Sequence, residues 1–122
     1  MDYILVVAAL YNLIGAFTIW FQDLPNSYDG NEITAQLMQF KIFTGGTAFI
    51  FGLVYLYVFF VPSLAIPLLV FGVALKTWSF ISCFISFKKY NFPKSELIKV
   101  GIGNLIFAVL FLAYLLAQAS GT

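Results

Sequence analysis

Lys76 is the residue whose chemistry is most unusual for its position in this sequence. It lies near the middle of a long apolar stretch, and none of the apolar stretches contains a carboxylate that would neutralise it. A lysine at the centre of a membrane-spanning helix costs about 2.5–3.5 kcal/mol to insert, and ionisable residues kept at such positions mostly serve a function. We therefore predict that Lys76 binds a ligand, takes part in proton-linked chemistry or pairs with a partner. In the alternative interpretation Lys76 is structural, and amide oxygens and backbone carbonyls accept its hydrogen bonds.

Amide side chains occur in the other three apolar stretches, as Asn12, Gln39 and Asn104. Ser79 follows Lys76 by three residues and so shares its face of a helix. We predict that these polar side chains and Lys76 line an inward pocket for an anionic or quinone-like amphiphile. In the alternative interpretation the amides form hydrogen bonds between helices, worth about 0.6–2 kcal/mol each.

Small residues recur at helical spacing beside these polar side chains. In a membrane, small side chains let helix backbones approach each other closely. The predicted packing positions are Gly15, Gly45, Ala48, Gly52, Gly72, Gly101 and Ala108. In the first, third and fourth helices these positions share a face with the polar residues, and that face is expected to point to the bundle interior. In the second helix Gly45, Ala48 and Gly52 lie on a face next to that of Gln39.

The composition removes several classes of chemistry. The sequence has no histidine and one cysteine, Cys83, so we predict no histidine-ligated metal or haem, no Ser-His-Asp triad and no intramolecular disulfide. Six lysines and five carboxylates give a formal charge of +1, too little excess positive charge for nucleic-acid binding. We predict no metal site and no cofactor, and we expect the protein not to be an enzyme.

Long apolar helices must hold these side chains. Of the 122 residues, 62% are hydrophobic and 9% are charged, whereas soluble domains carry about 25% charged residues. About 20 apolar residues in a helix cross the hydrocarbon core of a bilayer. We therefore predict an all-α polytopic membrane protein, a single four-transmembrane-helix bundle over residues 1–122. Its predicted spans are at about 3–21, 36–61, 65–87 and 97–119.

Lysines flank the predicted spans unevenly. Lys88, Lys89, Lys94 and Lys99 lie around the break between the third and fourth spans, whereas the break between the second and third spans has no lysine. Short loops that are rich in lysine remain in the cytoplasm. We therefore predict that the lysine-rich face is cytoplasmic and that both termini lie outside.

Short motifs along nearly the whole chain carry a resemblance to a known group. They are Tyr11-Asn12-Leu13-Ile14-Gly15, Leu24-Pro25, Gln39, Gly45-Gly46, Gly52, Tyr55-Leu56, Leu75-Lys76 and Asn104. In these motifs the chain resembles small four-helix bacterial integral membrane proteins that are broadly DoxX-like. The resemblance implies a bacterial cytoplasmic membrane and, through DoxX itself, a loose association with quinone-linked oxidoreductases.

Two positions depart from the pattern of that group. Its helix-three lysine follows a small residue, and an acidic residue follows its helix-four asparagine, whereas Leu75 and Leu105 stand at these positions here. The departures make an internal ion pair at Lys76 less expected and favour an external partner.

These observations predict a binding or accessory subunit without enzymatic activity, whose pocket accepts a quinone, a fatty acid or an anionic phospholipid. One alternative is a structural or assembly subunit of a larger membrane complex, since small-residue faces also dock neighbouring helices or a second copy of the chain. The other is an oligomeric transporter or channel, with Lys76 as a proton-linked or anion-selective group.

Overall fold

The computed structural model of the protein describes residues 3–21 and 35–119, and these residues are helical apart from short connections. The long helices are α1 (Tyr3–Phe21), α2 (Ala35–Phe60), α3 (Ala65–Tyr90) and α4 (Lys94–Ala119). All four are long and apolar enough to cross a membrane. The prediction of an all-helical chain with four long apolar helices is therefore confirmed.

The helices pair as two compact hairpins, α1 with α2 and α3 with α4. Each hairpin is a compact unit with its own packing. The single bundle predicted from the sequence would join both hairpins, and it stays a prediction.

The helix ends follow from local chemistry. A single 3-10 turn, Pro62–Leu64, separates α2 from α3, because Pro62 has no N–H with which to continue α2. Helix α3 runs three residues beyond its predicted end at residue 87, to Tyr90. Lys88 and Lys89 do not interrupt it, since cations are favourable in the last turn of a helix. Asn91 ends it in the left-handed conformation, with φ 57, which is a common helix terminator.

Helix α4 begins after Pro93, three residues before the predicted span. The backbone N–H groups of Glu96 and Leu97 both donate to the Pro93 carbonyl, at 3.1 and 3.0 Å. The helix then widens into a π-helical segment, Leu97–Ile102, before it continues as a regular α-helix from Gly103 to Ala119. Nothing in the sequence analysis predicts this segment.

Small residues allow close packing in the first hairpin. Ala8, Ala9, Asn12 and Ala16 of α1 are buried, and so is Gly52 of α2. A Cβ atom at Gly52 would lie 3.0 Å from Leu13 Cδ2 and 3.3 Å from the Ala9 carbonyl oxygen. The two backbones therefore approach each other at Gly52, as the spacing of small residues predicts.

Gly15 is different from the other predicted packing positions in this hairpin. A Cβ atom there would meet no heavy atom of the described residues within 4 Å. Ala16, four residues after Asn12, takes the place on the buried stripe of α1. Among the described residues of this hairpin no close approach occurs at Gly15, because the buried stripe passes through the neighbouring position, and the packing role predicted for Gly15 stays a prediction.

These two glycines give a matched pair of substitutions. Gly52→Ala is expected to lower the free energy of unfolding by about 1 kcal/mol, because the new methyl group presses on Leu13 and on backbone. Gly15→Ala is expected to be neutral or to stabilise by up to about 1 kcal/mol, since alanine is the better helix former. Thermal unfolding of the purified full chain, followed by circular dichroism, measures both. Equal effects of the two substitutions would contradict the close approach at Gly52.

The second hairpin also packs through small residues. Gly72 and Cys83 are buried on α3, and Gly101 and Ala108 are buried on α4. A Cβ atom at Gly101 would lie 3.2 Å from Cys83 Cβ, so α3 and α4 are close at this level. Cys83 lies one helical turn after Ser79 on α3, and Gly101 lies one turn before Asn104 on α4.

Candidate functional site

Lys76 lies on the buried stripe of α3, between Gly72 and Cys83. Lys76 is 2% exposed, although lysine side chains are almost never fully buried unless they are paired. The ammonium nitrogen, Nζ, donates a hydrogen bond of 2.8 Å to Asn104 Oδ1 on α4. The hairpin therefore provides an amide oxygen as a partner for the buried cation.

The side-chain amide of Asn104 is oriented by the two hydrogen bonds that its NH2 group donates. Its Nδ2 atom donates to Ser79 Oγ at 3.1 Å and to the Val100 carbonyl at 2.7 Å. Because both amide hydrogens have acceptors, the amide oxygen must point the other way, toward Lys76. We call Lys76, Ser79 and Asn104 the polar cluster of the second hairpin.

The π-helical segment ends at Ile102, two residues before Asn104, and supplies one of its acceptors. Val100 belongs to this segment, and its carbonyl oxygen accepts from the Gly103 backbone N–H as well as from Asn104. Single π-helical turns inside α-helices occur frequently at functional sites. Gly101 and Gly103 are the signal in the sequence that was missed, since two glycines so close together weaken regular α-helix.

Phe107 is a further neighbour of the cluster that the sequence analysis did not select. The Lys76 ammonium lies 5.3 Å from the centroid of the Phe107 ring, within the range of a cation–π interaction. Phe107 follows Asn104 by three residues on α4 and so shares its face. The ammonium is therefore bounded by an amide oxygen and an aromatic face.

The other two predicted pocket residues belong to the first hairpin. Asn12 is 6% exposed, and its Nδ2 atom donates to the Ala48 carbonyl on α2 at 3.1 Å. This contact is an interhelical hydrogen bond, the structural alternative considered for the amides. Gln39 is exposed near the start of α2, so no described residue of this hairpin encloses it. Among the predicted pocket residues, the structure therefore brings together Lys76, Ser79 and Asn104.

The described residues contain no group of three or more His, Cys, Asp or Glu side chains that could hold a metal ion. Cys83 is a buried free thiol on α3. The polar cluster can donate hydrogen bonds from the Lys76 ammonium and the Ser79 hydroxyl group. The Asn104 amide contacts both groups and fixes their positions.

Comparison of the chain with protein-family models, with curated proteins and with solved structures finds no match.

Proposed function

We propose that the protein is a non-enzymatic integral membrane protein whose polar cluster binds the acceptor-bearing head of an amphiphile. The observation that carries the proposal is the Lys76 ammonium, 2% exposed and 2.8 Å from the Asn104 oxygen. A buried cation is costly in an apolar environment unless it is hydrogen-bonded and its charge is met. The acceptor atoms of a ligand head would accept hydrogen bonds from this ammonium in addition to the one that Asn104 accepts.

The surfaces of the helices support insertion in a membrane. Each helix carries large apolar side chains that are more than half exposed, among them Ile14 (64%), Phe43 (67%), Phe71 (67%) and Leu116 (69%). Soluble monomers rarely expose apolar surface on this scale. We place the chain in a bacterial cytoplasmic membrane, as a four-helix bundle with its lysine-rich loops in the cytoplasm and both termini outside.

The chemistry of the polar cluster selects the class of ligand. Lysine has donors and no acceptor, and the amide hydrogens of Asn104 are directed to Ser79 and Val100. A ligand must therefore bring acceptor atoms, which a carboxylate, a phosphate or a quinone carbonyl provides. A fatty acid, an anionic phospholipid and a quinone are the amphiphiles that combine such a head with a hydrocarbon tail.

Photo-crosslinking tests the proposal with two probes, a diazirine fatty acid and an azido-quinone. At least one probe is expected to label peptides of α3 or α4 in wild-type membranes, and Lys76→Met is expected to reduce that labelling at least tenfold. Lys99→Met, which removes an exposed lysine of α4 that pairs with Glu96, serves as the matched control and should label like wild type. The proposal is contradicted if neither probe labels, or if labelling survives Lys76→Met.

A second candidate function is that of a structural or assembly subunit. The contact between Lys76 and Asn104 favours it, because this hydrogen bond joins α3 to α4 within one chain and would then serve to lock the hairpin. In that case the exposed apolar faces would dock a larger membrane complex or a second copy. Mass measurement after gentle solubilisation separates the two functions, since a ligand-free complex of defined size supports the second and a monomer carrying an amphiphile supports the first.

A further inference from the structure

The turn between α3 and α4 carries concentrated positive charge. Lys88 and Lys89 lie in the last turn of α3, Lys94 is the first residue of α4, and all three are exposed. The connection is short, since the Asn91 and Phe92 backbone N–H groups both donate to the Ser86 carbonyl. The three lysines are therefore held at one end of the second hairpin.

The charges at this end are not all equivalent. Glu96, the one acidic residue among the described residues, lies 3.4 Å from Lys99 Nζ. That ion pair offsets the Lys99 charge. Lys88, Lys89 and Lys94 therefore account for the excess positive charge of this end.

Lys88 also lies against aromatic surface. Its ammonium is 5.8 Å from the ring centroids of both Phe84 and Phe87, and Phe84 is 44% exposed. A cation next to outward-facing aromatic rings matches a ligand whose negative charge is attached to hydrocarbon. A free inorganic anion would use the lysines and leave the rings without a role.

We propose that this end of the second hairpin is a binding site for one anionic phospholipid. Lys88, Lys89 and Lys94 hold the phosphate, and an acyl chain lies along Phe84 and Phe87. The site rests on the proposed insertion of α3 and α4 in a membrane, which brings lysines at a helix end to the level of the lipid phosphates. It is separate from the polar cluster, which is deeper along the same helices.

Native mass spectrometry of the detergent-solubilised full chain tests the site. The probes are dioleoyl phosphatidylglycerol and dioleoyl phosphatidylcholine at equal concentration, with inorganic phosphate as a competitor. Wild type is expected to retain phosphatidylglycerol at least fivefold better than phosphatidylcholine. Each lysine removed should weaken the binding of phosphatidylglycerol about fivefold, so the Lys88→Gln/Lys89→Gln variant should retain phosphatidylglycerol about 25-fold less well than wild type.

Two further variants make the result specific. Lys99→Gln removes the same charge from the same end, but from a lysine that already pairs with Glu96, and it should change retention less than twofold. Phe84→Ala should weaken the binding of dioleoyl phosphatidylglycerol, because an acyl chain loses its contact. It should leave the binding of the short-chain dihexanoyl analogue unchanged. Equal losses for Lys88→Gln and Lys99→Gln would overturn the site in favour of diffuse attraction, and displacement by inorganic phosphate would overturn the lipid assignment.

The outcomes also separate this inference from the proposed function. Lys88→Gln/Lys89→Gln should lower the retention of phosphatidylglycerol by the same factor in wild type and in the Lys76→Met background, because the two sites use different residues. A chain that stays in the aqueous phase without detergent would refute membrane insertion and both proposals together. A chain that inserts but shows no preference between the two lipids would refute the lipid site alone.

Discussion

Asn104→Leu is expected to lower the free energy of unfolding by about 2–4 kcal/mol, because it leaves a buried ammonium without its amide acceptor. The substitution keeps the approximate side-chain volume and removes the oxygen that lies 2.8 Å from Lys76 Nζ. It also removes the donor that joins Asn104 to Ser79. Unfolding of the purified full chain by titration with a denaturing detergent, followed by circular dichroism, measures the loss.

Two further variants test whether the loss of stability in Asn104→Leu comes from the buried charge of Lys76. Asn12→Leu makes the same change where the amide donates to a neutral carbonyl, that of Ala48, and should cost about 1 kcal/mol. The double variant Lys76→Met/Asn104→Leu should recover most of the stability, since replacing both partners by apolar groups leaves no buried charge. A cost at Asn104 no greater than at Asn12 would refute this interpretation of the polar cluster.

The positions of the helices could be predicted because their apolar runs are long. The predicted spans agree with α1 and differ by one residue at each end of α2. Lys76 is on the buried face for a related reason, because its spacing from Gly72 and Cys83 follows the helical repeat. These features depend on periodicity alone, which a single sequence contains.

Other features depend on contacts between residues far apart in sequence. The hydrogen bond between Lys76 and Asn104 spans 28 residues, and spacing within one helix does not specify which residue of the next helix faces Lys76. Gly15 shows the same limit, because one residue of helical rotation moves a position off the packing face.

Trp20 is the clearest example of a residue whose role the sequence does not reveal. Aromatic residues near the end of an apolar helix are expected to anchor it at the membrane interface. In the structure Trp20 Nε1 donates to the Ile42 carbonyl at 3.1 Å, and Lys41 Nζ donates to the Trp20 carbonyl at 3.3 Å. Trp20 therefore joins the end of α1 to α2, in a position that requires a glycine opposite the indole.

That glycine is Gly45, and Gly45→Ala is expected to lower the free energy of unfolding by about 2–3 kcal/mol. A Cβ atom at Gly45 would overlap the indole of Trp20 at its Nε1, Cδ1 and Cε2 atoms. The rigid indole must leave its position, and the hydrogen bond to Ile42 is lost with it. Differential scanning calorimetry of the full chain measures the destabilisation.

Gly46 provides the control, because the same substitution one residue later meets only Trp20 Cζ2, at 4.0 Å. Gly46→Ala should therefore be neutral or stabilise by up to about 1 kcal/mol through its higher helix propensity. Replacing the exposed Trp78 by Phe leaves Trp20 as the single tryptophan, so its fluorescence emission reports the indole directly. The emission should shift in Gly45→Ala and stay unchanged in Gly46→Ala. If the Trp20 emission is unchanged in both variants, the indole does not pack against Gly45.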